Sequence, residues 1–263
     1  MIGCPILEDE MAHIIAKDKD IERVCFIDTD ECRNLVRKLR QLRPDANISF
    51  IGEGDIDSFH NSEGLSTLIW MKSMALHEDP DRLRDEVVET MGMMDRVCDS
   101  ILMFYGLCGN AFKDIDSLTE GFNSPVVILR DEQDRIVDDC ICVPLGGTEG
   151  YLSLLKRYPG VFYMTPAWAE NWEELIRTME IFRGMEDGKG WDDLRILFQY
   201  ANYSQILKIH TGLGDEEILH QKSREFAEIF DFEEITLEDG WCSLDVTENS
   251  YAKAKSFLME NGH

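Results

Sequence analysis

The strongest constraint on this chain is an alternation of two hydrophobic periods. Short, continuous apolar runs recur at residues 24–27, 48–51, 101–105, 126–129, 161–164 and 206–209. Each is flanked by polar residues, as strands buried on both faces are. Stretches of helical period lie between them. Asp79 reads as an N-cap with Pro80 at the first helical position, followed by Leu83, Val87, Met91 and Met94 on one face. Thr165 and Pro166 repeat that start signal before a stripe of Trp172, Leu175, Ile176, Met179 and Phe182, and Asp215 opens a helix with Ile218, Lys222, Phe226 and Ile229 on one side. Strands alternating with helices predict an α/β fold: mostly parallel, Rossmann-like sheet or sheets with helices on both faces, in one domain or in two lobes with the site between them.

At 263 residues and 44% hydrophobic, the chain can bury a sizeable core. The polar, glycine-containing stretch 184–190 marks a soft boundary, giving a main α/β domain over 1–183 and a second lobe, or a continuation of the first, over 184–263. With 52 acidic against 26 basic residues, the net charge of −26 repels phosphate and disfavours nucleic acid and anionic membrane surfaces as partners. No stretch approaches the roughly 18–20 apolar residues that span a bilayer. The opening residues turn acidic where a signal peptide is basic and then apolar, so a cytoplasmic chain with reduced thiols is expected. Residues 214–240 hold ten acidic and two basic residues and read as a solvated face.

The eight cysteines divide by context. Cys25, Cys32 and Cys98 fall in or near apolar runs and read as small buried hydrophobes, and nothing distinguishes Cys242. Cys4, in Ile-Gly-Cys-Pro, precedes a helix-like segment. Cys108, in Tyr105-Gly-Leu-Cys-Gly-Asn110, directly follows a strand, where open α/β sheets place ligands. Cys140, two residues before Cys142, follows another strand. Three thiols on three strand-end loops can converge on one crevice, with His77 as a fourth ligand or a general acid/base. Since the chain lacks the paired Cys-x-x-Cys knuckles of a zinc finger, the pattern fits a site of three protein ligands and an open position.

The remaining signals are weaker. Gly146 and Gly147, before a helix bearing Leu152 and Leu155, offer backbone donors for a cofactor. Trp168, with other aromatic residues, can wall a pocket, although core packing accounts for most of them. His210, in His-Thr-Gly-Leu-Gly-Asp, lies between a strand and a helix in a turn of anion-holding shape, but Asp215, Glu216 and Glu217 argue against phosphate there. His13, His60, His220 and His263 have no constellation around them. Gly-x-Ser-x-Gly, Walker and complete dinucleotide fingerprints are absent, so ATP and NAD are not indicated.

Several blocks together carry a resemblance: Cys4 with Leu7 and Glu8; His77 with Pro80 and Leu83; residues 105–110, the most specific; residues 163–168; and residues 211–215. Over most of its length the chain resembles the domain-of-unknown-function family numbered 1638, found in methanogens and anaerobic bacteria, often beside corrinoid-dependent methyltransferases. It departs from that pattern at Asp138, where a histidine is usual, and at Ala111 and Ala167, where glycines are usual. The resemblance implies, by association, anaerobic one-carbon metabolism, and Tyr105 and Asn110, which bound its most specific block, are expected to line a cofactor beside the expected metal ligands Cys4, His77, Cys108 and Cys140.

Three functions follow as expectations. One is a zinc–thiolate protein, an enzyme of methyl transfer if it is one at all. The second is an iron–sulfur protein with a three-cysteine 4Fe-4S cluster. The third is a non-enzymatic acidic accessory protein that docks on a corrinoid protein or methyltransferase. A homodimer is also expected.

Overall fold

A computed structural model describes residues 1–59, 64–178 and 190–260. Among them, six strands form a parallel sheet: β1 (Ile2–Gly3), β2 (Ile21–Ile27), β3 (Ile48–Ile51), β4 (Leu65–Met71), β5 (Ile101–Phe104) and β6 (Val126–Ile128), in the order β3-β2-β4-β1-β5-β6. Side chains alternate between the two faces, as the period of a strand requires. Val24, Phe26, Ile69, Met71, Leu102 and Phe104 pack beneath α1 (Glu8–Lys17) and α2 (Arg33–Leu42). Cys25, Leu68, Trp70, Ile101 and Met103 pack against Leu83, Val87, Met91 and Met94 of α3 (Pro80–Met94). Asp79 caps α3 as expected, its carboxylate accepting from the amides of Asp81 and Arg82, both at 3.1 Å.

After the short α4 (Ile115–Leu118) and α5 (Thr148–Arg157), the chain builds a second parallel sheet from β7 (Val161–Met164), β8 (Gln205–Lys208) and β9 (Glu233–Thr236), in that order. One face carries α6 (Pro166–Thr178), α7 (Gly190–Tyr200) and α8 (Glu216–Phe230) over an aromatic core in which the Phe226 ring lies 4.5 Å from Phe230 and 5.2 Å from Trp172. The other face sets Val161 and Leu207 against Leu154 of α5. The last helix, α9 (Asp245–Glu260), returns to the first sheet, where Val246 and Ala254 join Met11, Leu102 and Val127.

The two sheets share a core, and their strands' carboxyl ends approach one another. A Cβ on Gly214, just after β8, would lie 2.5 Å from Asp9 Oδ2 and 2.7 Å from Pro166 Cβ, so the starts of α1, α6 and α8 press together. The Asn171 amide of α6 donates to Glu8 Oε1 at 3.3 Å.

The α/β class and its parallel sheets are as expected, with specific differences. The buried face of α8 is Leu219, Ser223, Phe226, Ala227 and Phe230, not the stripe through Ile218, Lys222 and Ile229. The register is displaced because Phe226 and Phe230, one turn apart, are the residues the aromatic core takes in. On α5, Leu154 is buried while Leu152 and Leu155 are exposed. The boundary expected near residue 184, the glycine-containing stretch up to residue 189, and Met179 and Phe182 lie outside the described residues, as do His60 and His263. The strands change sheet earlier, between β6 and β7. No described helix is long and apolar enough to cross a membrane.

Candidate metal site

The direction of winding reverses at β1, the central strand: the chain leaves it toward β2 and later crosses back over it to β5. Loops at such a reversal leave an open crevice above the carboxyl ends of the strands. Four of the expected ligands rise from adjacent positions along that edge. His77 follows β4, Cys4 follows β1, Cys108 follows β5, and Cys140 follows β6.

Two devices bring the Cys108 and Cys140 loops together. The first is glycine: a Cβ on Gly106 would meet the Val137 carbonyl oxygen at 2.3 Å, so only glycine lets the chain run beside residues 137–138. There the Leu107 amide donates to the Val137 carbonyl at 2.7 Å and the Cys108 amide to the Asp138 carbonyl at 3.1 Å. The second is Asp139, whose Oδ1 accepts from the amides of Ile141 at 2.9 Å and Cys142 at 3.2 Å and so shapes the turn carrying Cys140. Cys108, Gly109 and Asn110 take successive positive φ values of 46°, 68° and 70°. Two of the three are not glycine, so the loop holds strained backbone of a kind that concentrates at functional sites.

The three thiols form an electrostatic triangle. Burial, and then the neighbouring Cys108, pushes the Cys4 thiol up to about 12. Burial and the Asp139 charge push Cys108 up to about 12. Cys140 is raised by burial and then by Asp139, Cys4 and Cys108. Each thiol is therefore held protonated until something replaces its proton. Tyr105 lies against the triangle, its phenol raised by burial and then by Cys4 and Cys108. Its ring stacks on His77 with centroids 6.1 Å apart and planes inclined by 26°. Tyr105 Oη and His77 Nε2 are both buried and have no hydrogen-bond partner within the protein. Burial lowers the His77 pKa and favours the neutral, ligand-competent imidazole.

No set of three drawn from Cys4, Cys108, Cys140 and His77 brings its ligand atoms within 4.8 Å of one another. Of the residues expected to line a cofactor, Tyr105 is in this site and Asn110 is exposed on its rim in the Cys108 loop. Gly147 is accounted for by packing, since a Cβ there would meet Asp131 Cβ at 2.4 Å, and Gly146 adjoins Ser243. Trp168 stands edge-on to Phe162 at 4.7 Å within the aromatic core. Cys142 is fully buried beside the site.

A second cluster escaped the sequence reading. His220, which has no constellation in the sequence, lies with His210 and Glu216, their ligand atoms within 4.8 Å of one another. The available signal was the spacing of Glu216 and His220, four residues apart and so on one helix face.

No curated protein and no solved structure matches the chain. A family match covers residues 70–245, which takes in His77, Cys108, Cys140 and the His210 cluster but leaves Cys4 outside it. Over that span the chain belongs to the family described as protein of unknown function (DUF1638).

Proposed function

We propose that the chain is a metal–thiolate protein in which Cys4, Cys108 and Cys140 hold a zinc ion, with His77, on the loop after β4, as a fourth donor. The observation that carries this reading is the placement of the three cysteines on the loops after β1, β5 and β6, three neighbouring strands, with Cys4 buried and Cys108 and Cys140 half-buried. The donor set fits the cation: soft sulfur with imidazole suits zinc. His77 Nε2 and Tyr105 Oη, on rings stacked 6.1 Å apart, are both buried without a partner in the protein. A zinc ion bound there would keep the thiols ionised and activate a further thiol toward a methyl group. Cys4, Cys108 and Cys140 would hold the ion, giving their thiol protons to solvent on binding, while buried Cys4 would keep water from one side and the Tyr105 hydroxyl would be left with a hydrogen bond to give. Assignment to anaerobic one-carbon or corrinoid-linked methyl metabolism, with a corrinoid protein or methyltransferase as partner, rests on the family resemblance.

One observation favours a second reading. Zinc–sulfur bonds of about 2.3 Å place tetrahedral sulfurs about 3.8 Å apart, closer than these ligand atoms stand as a set. An iron–sulfur cluster, whose irons each take one thiolate, is wider and leaves one iron free when only three cysteines bind.

Elemental analysis and a visible spectrum of anaerobically purified protein test both readings. Zinc at one per chain, lost in Cys108→Ser and Cys140→Ser, is the expected result. Iron with sulfide and a brown colour, lost in the same variants, gives the site to the cluster. Metal-free protein that takes up neither zinc nor iron sinks both.

A further inference from the structure

We infer that His210, Glu216 and His220 form a second cation site, separate from the thiols, for a divalent metal of the borderline class such as zinc or cobalt. The residues come from two elements. His210 stands just past the carboxyl end of β8, while Glu216 and His220 occupy the first turns of α8, on one face four residues apart. Each offers one ligand atom, and all lie within 4.8 Å of one another. Two imidazoles and a carboxylate are a donor set of three-ligand zinc centres that keep one position open.

The local folding does not explain the cluster. Asp215 already caps α8, accepting from the amides of Glu217 at 2.9 Å and Ile218 at 3.1 Å, so Glu216 is free of capping and turns back to His210 Nδ1. The two imidazole rings stand 5.3 Å apart, centroid to centroid. His210 Nε2 is buried without a partner, so the ring has one of its two nitrogens unfilled while the other meets a carboxylate.

His210 follows β8, and Gly214 in the same loop presses on Asp9 and Pro166, so the site lies where the starts of α1, α6 and α8 meet. None of the three ligands belongs to the thiol triangle, so this inference stands whether or not Cys108 binds metal.

Cobalt(II) binding to the full-length reduced protein tests it, with equilibrium dialysis for stoichiometry and absorption for ligand type. In Cys108→Ser, whose thiol site is broken, one cobalt ion per chain is expected to remain, and adding His220→Ala or Glu216→Gln should weaken it at least tenfold. His220 is exposed and the Glu216 side chain is 44% exposed, so both variants should keep the parental far-UV circular dichroism. His13→Ala, which removes the partner of Glu248 elsewhere, should leave binding unchanged. If Cys108→Ser binds no cobalt, or if its cobalt survives both substitutions with unchanged affinity, the inference is wrong.

Discussion

Glu8, Asp9 and Glu10 are 0%, 3% and 4% exposed, although three consecutive acids read in a sequence as surface. What permits their burial is a cation beyond the next strand in sequence: Lys38 of α2 reaches Glu8 at 2.8 Å, Asp9 at 2.6 Å and Glu170 at 3.0 Å. Burial opposes the lysine's charge, but Glu8, Asp9 and Glu170 outweigh it and keep the ammonium ionised. Glu10 makes no ion pair with Lys38, and burial, followed by the Asp9 charge, pushes it up from 4.5 to about 8. An acid whose folded pKa is raised binds its proton more tightly in the native state, so its contribution to stability is present below about 4.5 and is lost as pH climbs toward 8. Wild-type protein is therefore expected to lose on the order of a few kcal/mol between pH 5 and pH 8 from this group. Glu10→Gln should flatten that slope and be the more stable protein above pH 8, as urea unfolding at the two pH values would show. At this scale the loop positions of Cys4, Cys108 and Cys140, as against Cys25 within β2, were legible in the sequence. It could not show buried acids, because a buried carboxylate is betrayed only by a partner remote in sequence.

Among the elements, β1 and β4 explain why the site was only partly legible. β1 is two residues long, too short for any period, and yet it is the strand from which Cys4 emerges. β4, the sequence Leu-Ser-Thr-Leu-Ile-Trp-Met, was also passed over, and without it His77 could not be placed next to Cys4. The Gly106 turn was read as a loop beside a strand, but what makes glycine necessary is the Val137 carbonyl, a contact that no local pattern contains. Gly106→Ala should therefore cost about 1–3 kcal/mol as the two segments are forced apart, and should weaken metal uptake by displacing Cys108. Gly92 is the control: it lies inside α3 with nothing within 4 Å of a Cβ, so Gly92→Ala should stabilise the protein by about 0.5–1 kcal/mol. Denaturant midpoints of the two variants should move in opposite directions. A Gly106→Ala protein as stable as wild type would mean that the close approach does not constrain the turn.

For the whole molecule, the charge of −26 sets the response to salt. Exposed pairs such as Arg84 with Asp81 contribute little and weaken as salt rises, while the excess of negative charge repels itself over the whole surface. Raising sodium chloride from about 0.02 to 0.3 M shortens the screening length severalfold, so the melting temperature should rise; a fall would show that the ion pairs outweigh the repulsion. The α/β class was legible at this scale because alternating periods leave few alternatives. The arrangement of the two sheets was not, since the contact of Gly214 with Asp9 joins residues some two hundred positions apart. The path of α9 has a further consequence. Because β7, β8 and β9 lie in sequence between β6 and a helix that belongs to the first sheet, the smaller sheet is an insertion held by two covalent connections. During synthesis the first sheet must wait, one flank bare, until residues 245–260 have left the ribosome. In the finished protein, any movement of the smaller sheet against the first has to bend both connections at once.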